Sequence, residues 1–100
     1  MPDAPVLHVI ALLRARPGRE AQLRALAEGL LAPTRAEPGC LRYELIVDPD
    51  DPAQLTFVEE WESEEALAAH LETPHLREAL SLYDEWLEGG LSLRRGHRVG

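Results

Sequence analysis

Hydrophobic residues recur along the chain with two different periods, and each period predicts one kind of element. Residues 6–13 form a nearly unbroken apolar run, which is typical of a strand covered on both faces. Alternation over residues 40–47 and 55–61 predicts two more strands, which should pair antiparallel across the turn-rich residues 48–52. Residues 91–99 predict a short final strand.

Leucines spaced three and four residues apart predict helices between these strands. The first helix should cover residues 19–35, and Pro33 should kink or end it near Leu30 because proline lacks a backbone donor. Ser63 and Thr73 are helix-capping residues, and each predicts the start of a further helix. The predicted apolar stripes consist of Leu23, Leu26, Ala27, Leu30 and Leu31, then Leu67, His70 and Leu71, then Leu76, Leu80, Tyr83 and Leu87.

The resulting element order is β-α-β-β-α-β, with the second helix broken in two. This order predicts an α+β fold of the ferredoxin-like kind with an antiparallel sheet. No linker, repeat or low-complexity tract interrupts the 100 residues, so we expect one domain over residues 1–100.

Charge and composition exclude several classes of protein. Eighteen acidic against ten basic side chains give a net charge of −8, which excludes a nucleic-acid backbone as a partner. No apolar run approaches the roughly 20 residues of a membrane span, and residues 1–3 carry no basic leader segment, so we expect a cytoplasmic protein without a membrane partner. Cys40 is the single cysteine and predicts neither an internal disulfide nor a metal site.

Glu59 is the first candidate for chemistry. It alternates with Phe57 and Trp61 and should therefore share the covered face of their strand. A carboxylate on an apolar face is costly unless it is paired or hydrogen-bonded, and burial raises its pKa. Glu59 is thus either a pocket carboxylate or an ordinary group at a wet rim or in an ion pair.

Histidines and tyrosines provide the other candidates. His70 shares an apolar stripe with Leu67 and should face the sheet, where an imidazole can act as an acid or base or pack as a core residue. His75 follows across a proline, at a spacing that matches no recognised metal site, so we predict no metal. Candidates for the remaining substrate contacts, each of which could equally be structural, are Phe57, Tyr43, Tyr83, His75 and His8.

Four segments together resemble the antibiotic biosynthesis monooxygenase family, in the family's order and with its gaps. They are Pro17-Gly18, residues 34–44, Glu59-Glu60-Trp61 with Ser63, and residues 66–75, and the resemblance covers nearly the whole chain. The resemblance implies a dimeric α/β barrel, in which two ferredoxin-like protomers pack sheet against sheet. The homodimer is therefore an expectation from the family.

The resemblance also implies a chemistry. The family includes oxygenases that convert quinols or polyphenols to quinones without metal or flavin, so the resemblance implies no cofactor, a small hydroxylated aromatic substrate and molecular oxygen. Carried over to this sequence, Trp61 is the aromatic wall, His70 the acid/base or hydrogen-bond donor, and Glu59 the orienting or proton-accepting carboxylate.

Three other functions remain as alternatives. Haem-degrading relatives use an asparagine on the first strand, and residues 6–13 contain none. A sugar-phosphate isomerase needs a cationic pocket, whereas residues 51–100 are strongly acidic. The alternative from a different class is a dimeric small-molecule-binding or stress-response protein that has the same fold and no activity.

Overall fold

The computed structural model describes residues 5–100, and the expectation about a leader segment concerns residues 1–3, outside this range. Four strands and three helices follow one another in the predicted order. They are β1 (Leu7–Arg14), α1 (Glu20–Arg35), β2 (Cys40–Val47), β3 (Gln54–Trp61), α2 (Glu64–Leu71), α3 (Pro74–Trp86) and β4 (Ser92–Gly96).

The strands form one antiparallel sheet in the order β2-β3-β1-β4. Side chains on one face of this sheet pack with the buried side chains of all three helices in a single core. The arrangement confirms the predicted ferredoxin-like fold and the pairing of β2 with β3. Among residues 5–100, none of the helices has the length and apolar character needed to cross a membrane.

Helix α1 continues through Pro33 to Arg35, so the prediction that it kinks or ends near Leu30 is wrong about its end. Proline removes one backbone hydrogen bond, but the last turn still closes, because Ala36 N–H donates to the carbonyl of Ala32. Thr34 is fully buried one residue beyond the proline. Packing of this face against the sheet therefore outweighs the local cost of the proline.

Four smaller expectations are also corrected. In this protomer β1 is covered on one face only, because Ile10 and Leu12 are exposed on the other. Leu41 is exposed because a register shift between Cys40 and Arg42 takes it out of the alternation. The third helix ends at Trp86, so Leu87 of the predicted stripe is its C-cap, and the final strand covers five residues instead of residues 91–99.

The sheet face opposite the helices remains open and partly apolar; we call it the open face, with residues His8, Ile10, Leu12, Arg42, Glu44, Ile46, Thr56, Val58, Glu60 and Arg94. Ile10 and Leu12 are 37% and 39% exposed, and Ile46 is 50% exposed. At the C-terminal end of the chain, every residue of β4 is exposed, although β4 pairs with β1. Arg95 of β4 pairs with Glu64 at the start of α2 in the same chain.

Gly39 fixes the turn that precedes β2. Its φ is +83°, and a Cβ built there would lie 2.7 Å from the Cβ of Ala66 in α2. The carbonyl of Gly39 also accepts a hydrogen bond of 2.9 Å from Glu62 N–H. The turn containing Glu37 is thereby held directly against the start of α2.

Replacing Gly39 with alanine should destabilise the protein by more than the same change at Gly18. Gly18 has φ +89° and open space around it, so Gly18→Ala carries only the backbone penalty of about 1–2 kcal/mol. Gly39→Ala adds the contact with Ala66, which should cost about 1–3 kcal/mol more. Urea unfolding of both variants measures the difference, and equal losses would contradict the close approach.

Candidate active site

A pocket opens between the helix-covered face of the sheet and helices α2 and α3. Its empty volume is about 360 Å³, including the mouth. Four polar side chains interrupt an otherwise apolar lining, namely Tyr43, Glu59, His70 and Tyr83. Burial raises the pKa of both tyrosines, and the nearby Glu59 raises it further, so both hydroxyls stay protonated at neutral pH.

Glu59 lies on the covered face of β3, as its alternation with Phe57 and Trp61 predicts, and is only 4% exposed. Its Oε1 accepts a hydrogen bond of 2.9 Å from the indole N–H of Trp61. Burial raises the pKa of Glu59 to about 7, although the Trp61 hydrogen bond opposes the rise. Near neutral pH the carboxyl group is therefore able both to take up and to release a proton.

His70 enters the pocket from the last turn of α2. The helix begins at Ser63, whose hydroxyl accepts a hydrogen bond from Ala66 N–H, and Leu67 and His70 are its two buried residues. The imidazole lies against the indole of Trp61, with 4.7 Å between the ring centroids. Burial lowers the pKa of His70, and the neighbouring Glu37 partly offsets this. The low pKa favours the neutral ring, which can act as a base.

Glu37 holds both histidines of this region. Its Oε2 lies 2.8 Å from His70 Nδ1 and 2.7 Å from His75 Nε2. The hydroxyl of Thr73 lies 3.2 Å from the same His75 nitrogen, but its single proton is donated to the His70 carbonyl at 2.7 Å. Because the carboxylate can only accept, we assign an N–H to His70 Nδ1 and to His75 Nε2.

This tautomer determines which atom of His70 is available for chemistry. A neutral imidazole with its proton on Nδ1 carries its lone pair on Nε2. Within residues 5–100, Nε2 of His70 makes no hydrogen bond, and the ring lines the pocket. The structure therefore places at the pocket an imidazole whose ring orientation is fixed by the carboxylate of Glu37.

The predicted site residues fall into three places. Phe57, Tyr43, Tyr83, Glu59 and His70 line the pocket together, and the rings of Tyr43 and Phe57 stack with 4.7 Å between centroids. Trp61 is fully buried behind Glu59 and His70, so it supports these residues and does not line the pocket. The other two candidates lie elsewhere: His75 contacts the same Glu37 oxygen as His70 but does not line the pocket, and His8 is on the open face.

Glu37 is the functional residue that sequence reasoning missed. It precedes His70 by 33 residues and stands in a Glu-Pro-Gly sequence, which predicts only a turn. The only available signal was its place in the segment that resembles the family. Within the described residues, Glu37, His70 and His75 are also the one group with three potential metal-binding atoms close together, all within 4.8 Å of one another.

The fold and the site define a ferredoxin-like domain with an imidazole and a carboxyl group in an apolar pocket. The family model for antibiotic biosynthesis monooxygenases matches residues 6–81, and the chain belongs to this family.

Known relatives agree with this assignment. The chain is 36% identical to the probable quinol monooxygenase YgiN of Escherichia coli K12 over 96 residues, covering 84% of this chain and 86% of YgiN. It is 30% identical over 76 residues to the uncharacterised protein sll1783 of Synechocystis, covering 76% of this chain but only about half (51%) of that longer protein. The crystal structure of PA3566 from Pseudomonas aeruginosa superposes over both whole chains with a TM-score of 0.92 and 29% identity.

Proposed function

We propose that this protein is a monooxygenase that oxidises a small hydroxylated aromatic, a quinol or polyphenol, to a quinone without metal or flavin. One observation carries the proposal: the buried His70 lines the pocket, and its Nδ1–H is held by Glu37, which leaves the Nε2 lone pair free to accept a proton. The relationship to YgiN, which is named as a probable quinol monooxygenase, supports the substrate class.

The reaction needs only groups that the pocket offers. His70 Nε2 removes a phenolic proton, which leaves an electron-rich anion that can reduce oxygen directly. For a hydroquinone, one ring C–H bond becomes C–OH and the two phenolic C–OH groups become C=O, so that the product is a hydroxyquinone; one atom of O₂ enters the ring and the other leaves as water, with all four electrons supplied by the substrate. Glu59 is placed to hydrogen-bond a substrate oxygen or to exchange a proton with it, and the apolar lining excludes water.

Oxygen consumption by the purified, metal-free and flavin-free protein tests the proposal. A panel of hydroquinones and polyphenols should include at least one compound that gives enzyme-dependent oxygen uptake and a quinone absorption band. Failure of uptake across the panel would overturn the enzymatic proposal. Tight binding of an aromatic without turnover, unchanged in His70→Ala, would favour the non-catalytic binding protein.

Glu37 is proposed to act as a positioning residue, and Glu37→Gln should lower kcat about 10- to 100-fold with little change in KM. Glutamine has no charged oxygen that could accept from both histidine N–H groups. The Nδ1–H tautomer of His70 is therefore no longer favoured. Steady-state oxygen uptake measures both constants. Glu72→Gln, an exposed neighbour, is the matched control and should behave as wild type. An equal rise in KM instead would contradict positioning.

We further propose that two copies associate through their open faces. The apolar side chains Ile10, Leu12 and Ile46 are exposed on this face. Every residue of β4 is exposed as well, so a second copy of the chain would cover a strand that its own chain leaves exposed. Exposed apolar surface of this kind is characteristic of an interface. The pocket lining includes Leu93 of β4 and Leu91 just before this strand, so a partner at this edge would also narrow the pocket.

Light scattering should therefore give a mass of about 22 kDa, twice the 11.1 kDa of one chain. Ile10→Asp should shift the mass toward that of a single chain, because two carboxylates would be buried at the interface. Ala25→Asp, on an exposed part of α1, is the matched control. A wild-type mass of about 11 kDa at micromolar concentration would contradict the dimer.

A further inference from the structure

Glu37, His70 and His75 form a cluster with one side chain more than the proposed reaction needs. His70 requires one partner for its tautomer, yet Glu37 also holds His75, which does not line the pocket. The three side chains come from the turn before β2, the end of α2 and the start of α3. Two imidazoles and a carboxylate from three segments converge on one point.

We propose that Glu37, His70 and His75 bind a divalent transition-metal ion, preferably Zn²⁺, and that the bound ion inhibits the oxygenase. The inhibition rests on the proposed function, whereas the binding does not. Zn²⁺ takes nitrogen and carboxylate oxygen ligands, and three protein ligands with one open position is a common arrangement for it. Mg²⁺ and Ca²⁺ prefer oxygen ligands and are not expected to bind.

The ligand atoms are already close to the positions that such an ion needs. Glu37 Oε2 lies 2.8 Å from His70 Nδ1 and 2.7 Å from His75 Nε2. Two ligands on a tetrahedral zinc ion, with bonds of roughly 2.0–2.2 Å, lie about 3.3 Å apart. The carboxylate therefore has to withdraw from each nitrogen by about half an ångström, and the two histidine nitrogens, which lie within 4.8 Å of each other, have to come to the same separation of about 3.3 Å as the metal replaces the two protons between these atoms.

The three side chains differ in their freedom to make this adjustment. The His70 side chain is 3% exposed, and that of Glu37 is 10% exposed. The His75 side chain is 25% exposed, so it provides both the adjustment and the path by which an ion reaches the site from solvent. His70 thus acts as the fixed ligand.

Inhibition follows because a neutral imidazole has only one nitrogen lone pair, which can bind either a metal ion or a proton. When the metal binds Nδ1 of His70, the single ring proton must move to Nε2. Nε2, the nitrogen that Glu37 leaves free, then carries a proton and can no longer accept one from a substrate. Metal binding and base catalysis therefore exclude each other at the same ring.

Titration with Co²⁺, a spectroscopic substitute for Zn²⁺, tests the binding without any substrate. Protein stripped with a chelator should develop visible absorption bands with one Co²⁺ per chain, and Zn²⁺ should abolish them. His75→Ala and Glu37→Gln should weaken the affinity by more than the roughly 10- to 100-fold typical of losing a group that only supports a ligand.

The other two histidines of the chain, His8 and His97, provide the matched controls, since both lie outside the cluster. His8→Ala and His97→Ala should bind as wild type, and an equal loss in these variants would overturn the proposal, as would unchanged affinity in His75→Ala. Circular dichroism checks that each variant is folded, and His75→Gln replaces His75→Ala if the latter is unfolded.

Oxygen uptake provides the separate test of inhibition. Saturating Zn²⁺ should abolish uptake by the wild type, and the residual uptake of His75→Ala should resist the same concentration. Uptake that is unaffected or increased by Zn²⁺ in the wild type would overturn the inhibitory role. Co²⁺ bands in a protein with no uptake at all would disprove the oxygenase and support the metal site, so the two failures are distinguishable.

Discussion

Replacing His70 with glutamine is expected to lower kcat for quinol oxidation by about 10²–10⁴-fold, the usual contribution of a positioned general base. Glutamine has a similar size and can still donate an amide N–H to Glu37, so the hydrogen bond behind the ring is kept. It has no atom that takes up a proton near neutral pH, so the substrate anion is no longer formed at the pocket.

Stopped-flow oxygen uptake with the best quinol of the panel measures this loss. His97→Gln is the control, because His97 is exposed and its one side-chain hydrogen bond among the described residues is to the backbone carbonyl of Val6. A wild-type melting temperature for His70→Gln would show that lost activity does not reflect lost structure. A decrease of less than tenfold would assign the base to another group, and Glu59 would then be the first to consider.

Much of the fold could be predicted because its signals are local. Alternation placed Phe57, Glu59 and Trp61 on one face of β3, and the structure confirms it. The capping residues Ser63 and Thr73 marked the starts of α2 and α3, where their side-chain oxygens accept backbone N–H groups as expected. Where packing overrides a local rule, as when α1 continues through a proline, the sequence alone was misleading.

The site was less predictable because it depends on contacts between distant segments. Periodicity could direct His70 toward the sheet, but it could not show that Glu37 lies behind the ring. That contact depends on Gly39, whose close approach to Ala66 brings the turn against α2. The same limit explains Trp61, whose strand face was predicted correctly while its position behind Glu59 became visible only in three dimensions.

Glu59 should make the stability of the protein depend on pH in a way that Glu59→Gln removes. The pKa of Glu59 rises from 4.5 to about 7 on folding because the carboxyl group is buried. Between these two values the folded protein binds more protons than the unfolded chain, so the free energy of unfolding falls as the pH rises. The fall should be complete above pH 7 and should amount to roughly 3 kcal/mol, at about 1.4 kcal/mol for each tenfold change in the ionisation constant.

Glutamine keeps an oxygen that can accept from Trp61 N–H, but it does not titrate. The free energy of unfolding of Glu59→Gln should therefore lack this fall, and its difference from the wild-type value should increase by the same amount between pH 4.5 and 8. Urea unfolding at fixed protein concentration, repeated at pH steps across that range, measures the difference. Glu78→Gln, on an exposed part of α3, should show a difference from wild type that does not change with pH.

A pH-independent difference for Glu59→Gln as well would mean that Glu59 ionises in the folded protein as easily as in the unfolded chain. The pocket would then hold a permanent carboxylate at neutral pH. Such a charge would repel the substrate anion that His70 creates, so this measurement also tests whether the two groups can work on one substrate.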